Sequence, residues 1–269
     1  MFLVSLLEIK NLSFNYPFPS VKGDVLNNIS FHVEKGEFLS IIGPNGSGKT
    51  TLLKILAKLL NPVKGNLKLN ERDFAEYDLK KFYKLVAYVP QKFYSVFPYS
   101  VFEIILMGRT PYFSIYGFEN IQDIQSVENV IRILQLDELK NKSINEISGG
   151  ELQKVILARA LAQDSEILLL DEPSTHLDLK HQISIFNYLK KINENGKTII
   201  SVSHDINLSA LYSNRIIFLK EGKILKDGLT AEVFTEELIR KTFEIKSKVV
   251  WERGGTLPQI FLNPFEAAD

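Results

Sequence analysis

The fold of this chain is decided by the stretch Gly43-Pro44-Asn45-Gly46-Ser47-Gly48-Lys49-Thr50-Thr51. An apolar run at 38–42 precedes it and predicts a buried strand, and residues 52–60 follow it with the composition of a helix. A glycine-rich loop between a strand and a helix is the context of a phosphate-binding P-loop. Its glycines let backbone N–H groups approach phosphate oxygens, and the helix N-terminus adds partial positive charge. The motif predicts that Lys49 reaches the β- and γ-phosphates and that the Thr50 hydroxyl binds Mg²⁺.

The composition bounds the class of protein. The chain has 269 residues, of which 45% are hydrophobic, so it can bury the core of one large domain. Lys+Arg and Asp+Glu number 32 each, so no overall positive charge draws the chain to nucleic acid. The chain has no cysteine, which excludes disulfides and thiolate metal sites. No apolar run approaches the roughly 18 residues of a membrane span, and the apolar start lacks the features of a signal peptide, so we expect a cytosolic protein.

The rest of the chain predicts an α/β fold with a helical insertion. Leu12, Phe14 and Tyr16 alternate with polar residues, which predicts a strand that the following proline ends. Further strands are predicted at 66–70, 85–89, 166–170 and 197–202. A helix from Ile183 to Glu194 separates the last two, which indicates a parallel sheet with ligands bound beyond the strand carboxyl ends. Between about 99 and 162 the apolar spacing is helical, which predicts an inserted helical subdomain. The residues predicted to share a face are Val101, Ile104, Ile105 and Gly108 in one helix, and Ile121, Ile124, Val127, Ile131 and Leu134 in another.

Two adjacent carboxylates follow one of the predicted strands. The run Ile167-Leu168-Leu169-Leu170-Asp171-Glu172 has the Walker B pattern of an apolar strand that ends in acidic residues. Phosphoryl transfer depends on positioning and charge neutralisation, so we expect Asp171 to hold Mg²⁺ and Glu172 to polarise the attacking water. By itself the run is more typical of a buried strand that ends in an exposed acidic turn. The P-loop upstream favours the catalytic interpretation.

A third motif, Ile147-Ser148-Gly149-Gly150-Glu151, opens a predicted helix. Ser148 and Glu151 have the spacing of a capping box, which is a complete structural explanation. The functional interpretation is a second anion site, in which Ser148 and the amides of Gly149 and Gly150 face a γ-phosphate at the helix N-terminus. Because one P-loop already cradles the phosphates of a nucleotide, use within the same subunit is not expected.

Taken in order, these motifs resemble those of the nucleotide-binding subunit of ATP-binding cassette (ABC) transporters. The resemblance extends from about Leu7 to Glu232. Its motifs are the P-loop, Gln91, Ser148-Gly149-Gly150-Glu151, Asp171-Glu172, Ser174-Thr175-His176-Leu177-Asp178 and His204. The resemblance implies an α/β P-loop NTPase fold with an antiparallel β subdomain and an inserted α-helical subdomain at about 99–162. We expect a nucleotide-binding domain at 6–233 and a C-terminal tail at 234–269.

The resemblance also implies roles that spacing alone does not. Two subunits would form a head-to-tail dimer with two ATPs, each lying between one P-loop and the Ser148-Gly149-Gly150 segment of the other subunit. Tyr16 matches the aromatic residue that stacks on adenine, although it could instead belong to the core face of its strand. Gln91 matches a glutamine that contacts Mg²⁺ and water, His204 a histidine that contacts the γ-phosphate, and Asp178 an aspartate at the dimer contact.

One residue departs from the family pattern. The family has Gln where this chain has Glu151. Either residue completes a capping box. A carboxylate near phosphates is less favourable unless it points to its own helix N-terminus. The same substitution is common in the importer subgroup that the chain resembles, so we do not expect it to abolish turnover.

Four local stretches resemble the ATPases of iron-siderophore, haem and vitamin B12 importers, at 107–112, 148–155, 176–182 and 203–208. The implied function is ATP hydrolysis that powers uptake through a separate permease, at the cytoplasmic face of the membrane, with an external substrate-binding protein. The alternative is a soluble ABC ATPase that acts on nucleic acid or ribosomes. The single motif set, the ordinary domain sequence between Lys49 and Asp171, and the zero net charge argue against it, so no nucleic-acid partner is expected.

Two further segments lead to expectations about packing. Aromatic residues crowd the segment after Gln91, namely Phe93, Tyr94, Phe97, Tyr99, Phe102, Tyr112, Phe113, Tyr116 and Phe118. Most are expected to pack in the helical subdomain, and some to line a groove that receives a permease helix. In the C-terminal tail, 248–251 and 259–262 are predicted to be short strands that pack on the body or touch the second subunit.

Overall fold

The computed structural model describes residues 5–17, 24–114, 117–175, 177–251 and 258–262, so Tyr116 and His176 lie outside the described residues. Its strands are β1 (Ser5–Phe14), β2 (Leu26–Glu34), β3 (Phe38–Ile42), β4 (Lys64–Leu69), β5 (Arg72–Asp73), β6 (Val86–Val89), β7 (Ile167–Asp171), β8 (Thr198–Ser203), β9 (Arg215–Lys220), β10 (Lys223–Leu229), β11 (Ser247–Trp251) and β12 (Pro258–Leu262). Its helices are α1 (Lys49–Leu56), α2 (Leu79–Leu85), α3 (Val101–Leu106), α4 (Ile121–Ile133), α5 (Gly149–Ala162), α6 (Leu179–Glu194), α7 (Ile206–Tyr212), α8 (Thr230–Val233) and α9 (Glu236–Phe243). No helix within these ranges is long and apolar enough to cross a bilayer.

The chain forms two compact units, Met1–Glu76 with Lys190–Asp269, and Tyr77–Leu189. The first unit contains an antiparallel sheet of order β2-β1-β4-β5. It also contains β3 between β8 and β9, parallel to both, with β10 antiparallel to β9. All five residues of β3 are buried, which explains why its sequence is an almost continuous apolar run.

The helix after the P-loop covers different residues from the predicted 52–60. It begins at Lys49, because the carbonyl of Gly48 already accepts the first helical hydrogen bond, at 2.9 Å. It ends at Leu56, and two residues later Lys58 has left-handed backbone geometry (φ 59°), which cannot continue the helix. The last P-loop residues therefore form the first turn of α1 instead of preceding it.

The second unit combines the parallel pair β6–β7 with the helices of the predicted insertion. The predicted apolar face of α3 is buried at Val101, Ile104 and Ile105. On α4, Val127 is buried as predicted. Ile121 was predicted for the same face but is exposed. A helical side chain packs over the turn that precedes it, and Ile121 is the first residue of α4, so no such turn is present.

Both predicted strands of the C-terminal tail are present, and they form the antiparallel hairpin β11–β12. Ile260, a buried residue of β12, belongs to an apolar cluster of the first unit that includes Ile42 and Phe218. The tail therefore packs on the body of the first unit, which is one of the two arrangements that the sequence left open.

A buried ion pair joins three segments of the second unit. The Arg109 Nε donates to Asp123 Oδ1 at 2.9 Å, and Nη1 donates to the carbonyl of Ala162 at 2.9 Å. The guanidinium also lies over the Tyr112 ring, 3.9 Å from its centroid. The other carboxylate oxygen of Asp123 accepts the N–H of Asn120 and so caps α4. Removal of one charge would leave the other buried without compensation.

We expect Arg109→Met to lower the free energy of unfolding by about 3–5 kcal/mol, because the Asp123 carboxylate stays buried and loses its partner. Arg72→Met is the matched control. Its Nε also lies 2.9 Å from a carboxylate, that of Glu76, but the side chains are 49% and 58% exposed, against 10% and 1% in the buried pair. The control is expected to lose about 1 kcal/mol or less. Urea denaturation of both variants measures the difference, and equal losses would contradict the assignment.

Candidate functional site

The P-loop keeps its shape through two glycines that have no room for a side chain. A Cβ on Gly48 would lie 2.7 Å from Leu26 Cδ2 and 2.8 Å from the Val25 carbonyl oxygen, and its φ of 101° is left-handed. A Cβ on Gly43 would lie 1.9 Å from the Leu219 carbonyl oxygen. The loop is therefore shaped by the backbones that approach it from other strands.

Two of the buried polar side chains of the loop, Ser47 and Lys49, are those that could meet an anion. The Lys49 Nζ donates to the carbonyls of Gly43, at 2.8 Å, and Pro44, at 2.9 Å. The Ser47 hydroxyl is buried and has no hydrogen-bond partner within the described ranges. A buried hydroxyl without a partner, on the same loop as a buried ammonium group, fits an anion with several acceptor oxygens.

The other P-loop residues differ in their exposure. Asn45 and Gly46 are exposed, Thr50 is half-buried in the first turn of α1, and Thr51 is buried. Gly222 donates its N–H to the Ser47 carbonyl at 3.1 Å, which ties the loop to the turn between β9 and β10.

Tyr16 lies beside the P-loop helix and not on the buried face of β1. The strand ends at Phe14, opposite the first residue of β2, so Tyr16 follows it without a strand partner. The Tyr16 hydroxyl and Thr51 Oγ1 are 3.2 Å apart, and the ring meets that of Phe14 edge-on, with centroids 4.9 Å apart. The ring is half-buried, and its stacking on adenine stays a prediction.

His204 leaves the sheet at the same edge as the P-loop. The strands β3 and β8 are parallel neighbours, with Ile42 opposite Ser203. Gly43 and His204 therefore follow adjacent strands at their carboxyl ends, where parallel sheets bind ligands. His204 is exposed, and the next residue, Asp205, caps α7.

The second unit brings Gln91 to Glu172. The strands β6 and β7 are parallel, and Val89 pairs with Leu170, so the residues after them share one edge. The Gln91 Nε2 donates to Glu172 Oε2 at 2.7 Å, and the Thr175 hydroxyl donates to the same oxygen at 3.2 Å. Glu172 has a left-handed backbone (φ 52°), which is uncommon for a residue with a side chain and typical of functional turns.

Asp171 is the last residue of β7 and is buried. The hydroxyl of Tyr88, on β6, donates to Asp171 Oδ2 at 3.2 Å. This hydrogen bond orients the carboxylate and satisfies part of its acceptor capacity away from water.

The turn after β7 is anchored by two glutamines, for which no role was predicted from the sequence. The Gln153 Nε2, on α5, lies 3.4 Å from the Pro173 carbonyl, to which it donates. The Gln182 Nε2, on α6, donates to the carbonyls of Ser174 and Leu177, at 3.2 and 3.1 Å. A glutamine in a helix carries no sequence signal for such contacts, because the acceptors are backbone carbonyls outside the helix, which any residue type can supply. Thr175 was included in a motif, but its bond to Glu172 was not predicted.

The Ser148 motif forms the predicted capping box at the start of α5. The Ser148 Oγ accepts the N–H of Glu151, and the Glu151 carboxylate accepts the Ser148 hydroxyl and N–H, at 2.7 and 2.8 Å. The carboxylate thus points to its own helix N-terminus. This is the orientation in which a carboxylate near phosphates is expected to be tolerated. A Cβ on Gly149 would meet nothing within 4 Å, so this glycine faces open space.

Asp178 caps α6, so this helix begins at Leu179, about one turn before the predicted start at Ile183. Its Oδ1 accepts the backbone N–H of His181 at 2.8 Å and lies 2.8 Å from the ring Nδ1 of the same residue. The hydrogen bond from the His181 N–H, and then that from its ring, lower the pKa of Asp178. Asp178 is exposed.

The predicted site residues thus fall into two sets. The first unit holds the P-loop, Tyr16 and His204. The second unit holds Gln91, Asp171 and Glu172 at one strand edge, and the Ser148-Gly149-Gly150 segment and Asp178 at two helix starts.

Known proteins resemble this chain in sequence and in structure. Residues 26–175 match the family model described as ABC transporter. The chain belongs to the ABC transporter family. Its fold is that of the P-loop NTPase cassettes, as predicted, and its activity is ATP hydrolysis.

Three relatives cover most of this ABC cassette. An uncharacterized ABC transporter ATP-binding protein of Methanocaldococcus jannaschii is 38% identical over 250 residues, which are 93% of this chain and 95% of that protein. The petrobactin import ATP-binding protein of Bacillus anthracis is 38% identical over 82% of each chain. The ferric enterobactin transport ATP-binding protein of Escherichia coli is 33% identical over 85% of each chain.

Two solved structures resemble the cassette along most of its length. One, described as a metal-chelate type ABC transporter in an inward-facing conformation, has a TM-score of 0.81 at 26% identity and covers 97% of this chain and 98% of that chain. The other is a dimeric ATP-binding cassette bound to ADP and Pi in a post-hydrolysis state. It has a TM-score of 0.73 at 30% identity and covers 83% of this chain and 98% of that chain.

The capping box of this ABC cassette predicts a pH-dependent effect of Glu151→Gln. The hydrogen bonds from the Ser148 hydroxyl and then its N–H lower the pKa of Glu151 below its ordinary value of 4.5. A carboxyl group whose pKa is lowered on folding stabilises the folded state above its unfolded pKa, and that contribution disappears as the pH falls through the folded pKa. Glu151→Gln keeps the box without the charge. We expect it to lower the free energy of unfolding at neutral pH, by an amount that shrinks in acid.

Urea denaturation from neutral pH to about pH 3 measures this effect. A difference between the wild type and Glu151→Gln that is constant across the range would show that the carboxylate charge does not support the helix start.

Proposed function

We propose that this chain is the ATP-hydrolysing subunit of an ABC importer, and that it powers uptake of an iron-siderophore, haem or cobalamin-type metal chelate through a separate permease. The observation that carries the proposal is the hydrogen-bonded pair Gln91–Glu172 at the carboxyl ends of β6 and β7, in a chain with a complete P-loop. The substrate class is supported by the relatives, whose names specify import of petrobactin and transport of ferric enterobactin.

In the proposed mechanism the P-loop holds the phosphates of ATP. Backbone amides of 43–51 surround the phosphate oxygens. The buried Ser47 hydroxyl, which has no hydrogen-bond partner among the described residues, donates to one of these oxygens. Lys49 exchanges the carbonyls of Gly43 and Pro44 for the β- and γ-phosphates. This exchange is favourable because an anionic oxygen is a stronger acceptor for an ammonium group than a carbonyl is.

The residues that would hold Mg²⁺ offer oxygen donors of the kind this ion prefers. They are the Thr50 hydroxyl, the Asp171 carboxylate and the Gln91 amide oxygen. Asp171 is buried and oriented by Tyr88, so its carboxylate is held in one direction. The ion would neutralise charge on the phosphate oxygens.

Glu172 is proposed as the general base. Its carboxylate polarises the water that attacks the γ-phosphorus, while Gln91 and Thr175 hold one carboxylate oxygen in place. His204 contacts the γ-phosphate and stabilises the charge that it carries in the transition state. Tyr16 stacks on the adenine ring.

A second copy of the chain is proposed to complete each site. In a head-to-tail dimer the Ser148-Gly149-Gly150 segment of one copy faces the γ-phosphate held by the P-loop of the other, and Asp178 lies at the dimer contact. The open space around Gly149 supports this, because a ligand can approach the helix start. ATP contacts both copies only when they close, so the closed dimer is the state that ATP favours.

A permease helix is the proposed partner of the loop that follows Gln91. Tyr94, Val96 and Phe97 are exposed in this one loop, and Phe97 is 63% exposed. Most other aromatic residues of the segment are half-buried, as the packing interpretation predicts, apart from the exposed Phe118. An exposed apolar group next to a catalytic glutamine suits a partner whose movement follows the nucleotide state. The cassette would lie peripherally at the cytoplasmic face of the membrane, with an external protein delivering the chelate and with no nucleic-acid partner.

We expect Glu172→Gln to bind ATP normally, to hydrolyse it about a hundredfold or more slowly, and to form a stable dimer with ATP. The amide cannot take a proton from water, whereas nucleotide contacts elsewhere are unchanged. Glu194→Gln, an exposed glutamate at the end of α6, is the control. ATPase assays and size-exclusion chromatography with ATP measure both properties. Turnover at the wild-type rate would rule out Glu172 as the base.

We expect Glu172→Gln, captured from native membranes with ATP, to bring down a multi-span membrane protein, and Phe97→Ser in the same background to lose it. Phe97 is exposed, so the change should not affect folding, and soluble ATPase activity of the single variant should be unchanged. Phe261→Ser, an exposed phenylalanine in the first unit, is the control. Mass spectrometry identifies what is captured. Ribosomal or nucleic-acid partners alone would favour the alternative of a non-transport ABC ATPase.

A further inference from the structure

The hairpin β11–β12 lies outside the residues that match the family model, and none of the sequence motifs uses it. Its two strands pair from Ser247 opposite Leu262 to Trp251 opposite Pro258. A two-stranded hairpin is marginal by itself, so its contacts with the rest of the first unit decide its position.

One side chain of α7 binds the backbone of β12. The Ile260 N–H donates to Asn207 Oδ1 at 2.8 Å, and Asn207 Nδ2 donates to the Ile260 carbonyl at 3.4 Å. The amide of Asn207 offers the same donor and acceptor as a peptide group, so it pairs with β12 as a neighbouring strand would. This pairing ties α7 to the hairpin through a polar contact that depends on one residue.

Apolar contacts join the same elements. Ile260 is buried in a cluster with Ala210 of α7 and Ile42, the last residue before the P-loop. Val249 and Trp251, on the partner strand, are packed against that cluster. The inner face of the hairpin thus contributes to the packing around the helix that follows His204 and around the strand that delivers the P-loop.

The connection from β8 to α7 is short, and the residues on both sides of His204 form hydrogen bonds through their side chains. The Ser203 Oγ accepts the Asp205 N–H at 2.9 Å, and the Asp205 carboxylate accepts the Leu208 N–H at 2.9 Å. Ser209 also donates its hydroxyl to the Asp205 carbonyl, at 2.8 Å. Because His204 lies inside this turn, the direction of α7 sets the direction in which His204 leaves the strand.

The helix α7 has seven residues, from Ile206 to Tyr212. A helix of this length is not stable on its own, so its position is determined by what it packs against. The hairpin supplies such a support on one side, with Asn207 as its polar contact.

We propose that the C-terminal hairpin holds α7, through Asn207, in the position that directs His204 to the transferred phosphate. Asn207 is then a positioning residue, and the hairpin is part of the ATPase machinery of this chain. The inference rests on the proposed role of His204 and assigns the tail a function that the sequence did not reveal.

The test is Asn207→Ala in the full chain. Alanine is a better helix former than asparagine, so α7 itself is not weakened. We expect kcat for ATP to fall about tenfold with KM unchanged, as for a misplaced catalytic group. In a His204→Ala background the same change is expected to have no further effect on kcat, because the residue that it positions is absent. Asn195→Ala is the control, because among the described residues the Asn195 side chain donates only to the Lys191 carbonyl, in the last turn of α6.

Hydrogen exchange of the amides of α7 and β12 reports whether the hairpin has been released. If Asn207→Ala leaves it attached, Ile260→Asp releases it by placing a carboxylate in the apolar cluster. A released hairpin with unchanged kcat would overturn the proposal, as would an equal loss of kcat with and without His204. Failure of the proposed role of His204 is distinguishable, because His204→Ala alone would then leave kcat unchanged.

Discussion

The close approach of backbone segments to the P-loop glycines is the constraint on which the first unit depends. Gly43 lies against the carbonyl of Leu219, and Gly48 lies against Val25 and Leu26, so strands from three parts of the chain must meet at the loop. The loop can present its amides to an anion only when β2, β3 and β9 are all in place. Phosphate binding and the folding of this unit are therefore linked, and any side chain at these two glycines affects both.

The second unit holds two adjacent carboxylates, Asp171 and Glu172, at the end of a strand. Donors supplied by neighbouring elements surround the two acidic residues, from Tyr88 to Asp171 and from Gln91 and Thr175 to Glu172. Such hydrogen bonds limit the directions that the carboxylates can take. The turn that carries them is anchored to α5 by a glutamine, so this turn and the helix that begins with the Ser148 motif share a support.

Two local motifs in this chain have a structural role that is observed and a functional role that is proposed. The Ser148 motif is a capping box, and the same geometry leaves the helix start open to an anion. Glu151 satisfies the cap with a charge that points back to its own helix, so its departure from the family pattern has no structural cost at that position. Asp178 likewise caps α6, and its place at a dimer contact is a proposal. Sequence motifs of this kind indicate function only when several of them occur in order.

The sequence predicted the P-loop, the apolar strands around it, the capping box of Ser148 and Glu151, and the family, because these depend on short-range patterns and on glycine positions. The sequence did not determine that Tyr16 lies beyond its strand, that Gln91 meets Glu172 across neighbouring strands, or that Gln153 and Asn207 bind distant backbone groups. Those contacts join residues far apart in the chain. The neighbours of these side chains in the sequence form no motif that would indicate such a contact. Only the tertiary structure brings such groups together, because the register of parallel strands and the packing of helices decide which distant backbone atoms a side chain can reach.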